Sequence, residues 1–213
     1  MIKIEHTEVY GWEAAIRGMR NPMNSWDKSD SHYWESSNRF EVGPNDLDLM
    51  KRLRSAGTDH GKFMRMITVY LDITAPLYWW KEFDTYKVGT VANSCSTMHK
   101  IHAKEFTLDD FTHEHLENSW LIHLKETIKL LNEAREAYNW CNTDAKKEWW
   151  WQMIQLLPSS YNQRRTVMLN YEVLANMYKS RKNHKLDEWV DFCKWIETLP
   201  YSELITGENK KKN

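Results

Sequence analysis

The spacing of apolar residues divides the chain into short alternating stretches and longer stretches of helical period. Ile2-Lys3-Ile4-Glu5 alternates apolar with charged and predicts a short edge strand. Trp12, Ala15, Ile16 and Met19 stand at i, i+3, i+4 and i+7, so they share one face of a predicted helix. From Asn21 to Gly43 the chain is rich in Ser, Asn and Asp and has no period, which predicts a long loop. Helical spacing returns from Asp46 to Ala56 through Leu49 and Leu53. The clearest strand runs from Met64 to Ile73, with Ile67, Val69, Leu71 and Ile73 on one face and Thr68, Tyr70 and Asp72 on the other. Thr74-Ala75-Pro76 ends it and opens a helix, with Thr as the cap and Leu77, Trp80 and Phe83 as the apolar face.

The longest helical region is predicted from about Leu108 to Trp140, with a stripe through Leu116, Trp120, Leu124, Ile128 and Leu131. Thr143 to Leu157 is a further helix that Pro158 closes. Tyr171 to Ser180 and Leu186 to Thr198 are the last two, the second with Trp189, Cys193 and Ile196 on one side. The basic tail 207–213 holds nothing apolar and is expected to be disordered, leaving residues 1–206 as a single domain.

Composition sharpens this picture. With only 7 Gly and 5 Pro in 213 residues, long helices are favoured over a many-turned β architecture. A formal net charge of −1 carries no bulk pull toward nucleic acid or an acidic membrane, so neither is expected as a partner. Cys95, Cys141 and Cys193 are odd in number and far apart, which suits a reducing, cytoplasmic setting without disulfides. The N-terminal residues lack the apolar run of a signal peptide, and no stretch reaches a membrane span. The 12 Trp and 10 Met point to a large core or subunit interface; base stacking is the sharper alternative. His113, His115 and His123 do not converge on one face and read as solvated rather than metal-binding. No internal repeat, phosphate loop or Gly-x-Ser-x-Gly elbow is present.

One region carries a resemblance. Ala75-Pro76, the aromatic Leu77–Asp84 segment and then Thr85-Tyr86-Lys87-Val88-Gly89-Thr90-Val91-Ala92-Asn93-Ser94-Cys95-Ser96-Thr97-Met98-His99 resemble the signature of the flavin-dependent thymidylate synthases (ThyX). That signature reads Arg-His-Arg-x-x-Ser-x-Asn-Glu-x-Ser-x-Arg-Tyr, and one extra residue, Val91 or Ala92, aligns it. His60 matches the first His of a Gly-His segment that precedes the strand. A second block, Leu157-Pro158, Asn170, Asn176 and Arg181, resembles the C-terminal series of that family. The departures fall on the site: Arg-His-Arg is Thr85-Tyr86-Lys87, the acidic residue is Ser94, Arg-Tyr is Met98-His99, and the Arg of Asn-x-Arg is Glu172.

The resemblance implies an α+β, ThyX-like fold, with a central, mostly antiparallel sheet surrounded by long helices. It further implies a homotetramer that binds FAD between subunits and methylates dUMP or a related pyrimidine nucleotide, with NADPH and methylenetetrahydrofolate as co-substrates. Residue by residue, Arg181, Ser96, Ser94 and Glu82 would hold the nucleotide, and Asn93, Asn170, Asn176, Tyr86 and Lys87 the flavin. No catalytic residue and no metal ligand is assigned. Losing two or three charge-assisted hydrogen bonds to phosphate removes roughly 3–9 kcal/mol, a factor of about a hundred to a million in affinity. Other cations must therefore replace the lost arginines, or the ligands differ. Lys87, Lys100, Arg164-Arg165 and Lys179 are the available replacements. A non-catalytic nucleotide-binding protein on the same scaffold is the alternative, and a ligand-free structural oligomer a third.

Overall fold

The computed structural model describes residues 2–37 and 39–207, so the predicted tail 207–213 lies, after Gly207, outside the described residues. Helices and strands mix in the order β1 (Lys3–Tyr10), α1 (Trp12–Arg20), β2 (His32–Trp34), β3 (Arg39–Glu41), α2 (Pro44–Ser55), β4 (Thr68–Pro76), α3 (Leu77–Phe83), β5 (Val91–Ser94), α4 (Asn118–Trp140), α5 (Lys146–Leu156), β6 (Asn162–Asn170), α6 (Tyr171–Arg181), α7 (Asp187–Glu197) and α8 (Glu203–Thr206). The architecture is α+β, as expected, with a four-stranded sheet in the order β1-β4-β6-β5 that places β1 at an edge.

The periodic segments form as their patterns require. Val69, Leu71, Ile73 and Ala75 of β4 are all buried, whereas Tyr70 between them is exposed. Trp12, Ala15, Ile16 and Met19 form the buried face of α1, and Trp189, Cys193 and Ile196 that of α7. Several expectations fail. Residues 64–66, expected in the strand, lie in a 3-10 helix and β4 starts at Thr68; the helix expected from about Leu108 starts at Asn118, preceded by a 3-10 turn at Leu108–Asp110. The segment 21–43 is not a loop: its described residues hold three single-turn 3-10 helices and the antiparallel pair β2-β3, with Tyr33 opposite Phe40. Its polar side chains hid the pairing, because a two-stranded ribbon exposed on both faces needs no alternation. Thr74 does not cap α3; β4 continues through Pro76, which takes the N-cap position. Leu116 and Trp120 are exposed, so the α4 stripe is buried only from Leu124 on. Finally β5 and β6 arise where no strand was predicted; in β6 the charged Arg164-Arg165 pair interrupts the apolar signal, although Gln163, Val167 and Leu169 are buried.

Contacts group the chain into two compact units. One contains Ile73–Thr85 and Asn93–Arg165. Its α4-α5 hairpin closes over a cluster of Ile101, Phe106, Phe111, Leu131 and Met153. Trp80 packs edge-on to Trp79 at 4.9 Å, and its indole N–H donates to the Gln163 carbonyl at 2.9 Å. Arg165 stacks over the Trp80 ring at 4.2 Å and pairs with Asp84 at 2.7 Å, so this arginine is committed to the scaffold.

The other unit contains Ile4–Asp72, Tyr86–Ala92 and the segment from Thr166 on. Here α6 packs on α7 and α8. Trp12 meets Tyr171 and Tyr201 edge-on at 5.2 and 5.0 Å, and the Tyr171 hydroxyl donates to the Pro200 carbonyl. A buried ion pair, Arg20 with Asp46 at 2.6 Å, anchors the 25–31 segment to the start of α2.

Candidate functional site

Helix α6 organises the residues of interest, and its start follows from its first residue. Asn170 is extended at the N-cap, and its Oδ1 accepts from the Val173 backbone N–H at 2.9 Å, satisfying one of the helix's orphan donors. The other half of the same carboxamide, Nδ2, donates to the Gly89 carbonyl at 3.5 Å. Gly89 has φ +73°, and a Cβ there would overlap that amide nitrogen, so the approach requires glycine. Asn170 is thus a cap and a fastener of the 86–92 segment.

At the far end of α6, Arg181 gathers an aromatic box. Its Nε donates to the Tyr86 hydroxyl at 2.9 Å. The guanidinium carbon lies 4.8 Å from the centroid of Trp189 and 5.6 Å from that of Tyr86, within cation–π range. His184 Nε2 stands 3.0 Å from Nη1, while the Leu186 N–H donates to His184 Nδ1 at 3.2 Å. A neutral imidazole has one acceptor nitrogen, so His184 can serve Leu186 or Arg181 but not both.

Along α6, Glu172, Asn176, Lys179 and Lys182 line a cavity of about 370 Å³ together with Arg54 and Thr58. Their spacing, i, i+4, i+7 and i+10, is one helical face. Arg54 donates to the Leu204 and Ile205 carbonyls at 2.7 and 2.9 Å, and burial lowers its pKa. Glu172 is engaged by Arg65 at 2.6 Å. Among the described residues three cations therefore line the cavity, and the carboxylate on its wall, Glu172, is already paired. Of the replacement cations expected from sequence, Lys179 lies here; Arg165 is spent on Asp84. Arg54 and Lys182 were missed. Lys182, the C-cap of α6, was legible from its register three residues after Lys179, whereas Arg54 comes from α2 and no local pattern marks it.

The remaining residues lie in the first unit or on the surface. Glu82 lies half-buried in the last turn of α3, where its carbonyl accepts from the Thr85 hydroxyl at 2.7 Å; Asn93 and Ser94 are exposed on β5. The Ser96 hydroxyl accepts from the backbone N–H groups of Met98 and His99, a turn-capping role, and meets His99 Nδ1 at 3.1 Å. Cys95 is exposed. Lys87 is exposed, and Tyr86 faces Arg181. Among the described residues no group of three or more His, Cys, Asp or Glu is placed to hold a metal, and no helix is long and apolar enough to cross a membrane.

This fold is that of the flavin-dependent thymidylate synthases. The chain superposes on the Helicobacter pylori ThyX complexed with FAD and dUMP at a TM-score of 0.68 and 15% identity, covering 96% of this chain and 98% of that one. A UMP/dUMP methylase, PolB from Streptomyces cacaoi, bound with 5-Br dUMP, matches at a TM-score of 0.60 and 11% identity, over 97% and 95% of the two chains. No family model matches the sequence, and no curated protein does.

Proposed function

We propose that this chain binds a pyrimidine nucleotide, dUMP or a relative of it, on the ThyX fold, and that it acts as a divergent flavin-dependent methylase of that nucleotide. The observation that carries the reading is α6: one helix presents Arg181 in its aromatic box and lines a cationic cavity with Asn176, Lys179 and Lys182. Both kinds of structural neighbour were solved with a uridylate in place. Arg181 holds the nucleotide, Asn176 and Lys87 belong to the flavin side, and Asn170 supports both by holding Gly89; Ser94, Ser96 and Glu82 for the nucleotide and Asn93 for the flavin are assigned by resemblance alone.

FAD needs cations for its diphosphate, and the donor set of Arg54, Lys179 and Lys182 has the right sign. The cavity of about 370 Å³ lies at the small end of the ~300–1,000 Å³ range of ligand sites, room for part of a dinucleotide. A flavin shared between subunits, in a homotetramer, would complete it. The apolar surface supports such assembly: Trp120, Ile122, Leu130 and Trp140 on α4 are 64, 57, 52 and 86% exposed. When bound, FAD supplies the redox chemistry, with NADPH and methylenetetrahydrofolate as co-substrates. The chain's own residues bind and orient.

A second reading, a nucleotide-binding protein without flavin chemistry, is favoured by the Glu172–Arg65 pair, which stands where the family has a cation. The visible spectrum separates the two. Yellow protein, or a thermal shift on adding FAD, supports the enzyme; colourless protein with no shift leaves nucleotide binding alone. Arg181→Ala should abolish dUMP binding under either reading, and unaltered binding by that variant removes the site.

A further inference from the structure

We infer that the cleft at the start of α5, in the first unit, is an anion site for a phosphate group. His99, Tyr138, Asp144, Lys146, Lys147 and Trp150 line a cavity of about 880 Å³ there, toward the upper end of the ~300–1,000 Å³ range of ligand sites. Its donors are held in place before a ligand arrives. Half-buried Lys146 sets its ammonium 4.6 Å over the Tyr138 ring, which His102 backs at 4.4 Å. A ring steadies an ammonium by one side and leaves N–H donors for a ligand. Ser96 orients the imidazole. Its oxygen accepts from the Met98 and His99 N–H groups at 3.1 and 2.9 Å, so its own proton goes to His99 Nδ1 at 3.1 Å. The neutral His99 ring then carries its hydrogen on Nε2, which makes that nitrogen a donor. Trp150 ties α5 to the same turn, its indole N–H donating to the Met98 carbonyl at 2.9 Å.

The positive charge of this cleft is not cancelled from within. Among the described residues neither Lys146 nor Lys147 is paired with a carboxylate, although Asp144 stands on the wall. Burial, then Lys100 and Lys146, hold His102 below its ordinary pKa, as an uncompensated positive field acts on a neighbouring imidazole. The backbone adds no free donor at this helix start: the N–H groups of Lys146, Lys147 and Glu148 donate to the carbonyls of Thr143, Asp144 and Ala145 at 2.9, 3.2 and 3.0 Å. Side chains alone therefore make the site. Two ammoniums and an imidazole N–H match a phosphate group in both respects, its charge of nearly −2 and its three strong acceptor oxygens. That group is shared by free phosphate and by a nucleotide.

Calorimetric titration of the full-length protein with inorganic phosphate at low ionic strength tests this. The variant combining Lys146→Gln and Lys147→Gln should bind about tenfold more weakly than wild type, with its melting temperature unchanged. Lys146→Arg, which keeps the charge, should keep the binding, and Lys125→Gln on α4 should leave it as it was. A wild type that binds no phosphate overturns the inference, as does equal affinity in wild type and the double variant. An equal loss in Lys125→Gln overturns it too, since bulk charge alone would then be at work. Titrations with dUMP and with deoxyuridine, which lacks the phosphate, then distinguish the source. A loss in the double variant for dUMP but not for deoxyuridine assigns the cleft to a nucleotide's phosphate. Unchanged dUMP affinity beside weakened inorganic phosphate assigns it to the free anion.

Discussion

Replacing Asp46 by Asn changes one atom of a buried side chain, and the surroundings dictate a large cost. The carboxylate is fully buried, and Arg20, its partner, is only 5% exposed. One oxygen takes Arg20 Nε at 2.7 Å; the other takes the Ser29 and Ser31 hydroxyls, each at 2.6 Å, and the Asp30 and Ser31 N–H groups. Every neighbour is a donor, so an amide nitrogen on either side faces donors and leaves a buried guanidinium without its counter-charge. Breaking a buried pair in this way costs about 3–5 kcal/mol. At about 2–4 °C per kcal/mol for a chain of this size, the melting temperature should fall by roughly 6–20 °C. Burial alone would raise the Asp46 pKa, but the hydrogen bonds from Ser29, Ser31 and Arg20 outweigh it and hold the carboxyl below its ordinary value. The folded-state pKa thus lies below the unfolded one, so this stabilisation is complete above the unfolded value, about 3.9, and drains as pH falls through the folded one. Calorimetric melts of wild type and Asp46→Asn should therefore differ by a constant amount from pH 5 to 7 and converge under acid. A difference under about 2 °C at pH 7 would refute the reasoning.

Three further outcomes follow from other contacts. Gly89→Ala combines a left-handed backbone with displacement of the Asn170 cap, so denaturant melts should show a loss of roughly 2–3 kcal/mol; a neutral substitution would mean that Asn170 does not rest on Gly89. Burial, aided by Glu197, pushes the Cys193 thiol up to about 11, so a disulfide reagent at pH 8 should modify exposed Cys95 promptly and Cys193 only after denaturation. Lys179→Ala and Lys182→Ala should each weaken binding of inorganic diphosphate several-fold at low salt, with the difference shrinking as salt rises; salt-independent affinity would remove the cationic cavity as an anion site.

The candidate site was legible in proportion to how local its residues are. Asn170, Asn176, Lys179 and Arg181 lie on one helix, and their spacing alone placed them along it. The pairing of Arg181 with Tyr86 spans 95 positions and has no sequence signature, so Tyr86 was read as a flavin residue by resemblance. Arg65 on Glu172 is the same kind of contact: the family's cation looked lost from the sequence, whereas a distant arginine has come to the carboxylate that replaced it.

What the linear order of residues determined was periodicity, and with it α1, α2, α6, α7 and β4, because a buried face must repeat every 3.6 or every two positions whatever it packs against. It also carried the resemblance to a fold that the coordinates bear out. The tertiary structure alone decided the rest. It paired β2 with β3 through a polar stretch, made a strand of the arginine-interrupted β6, and turned Arg165 inward onto Trp80 and Asp84. It also set three cations around one cavity. These depend on which distant groups meet, and no local pattern encodes a partner's charge or position.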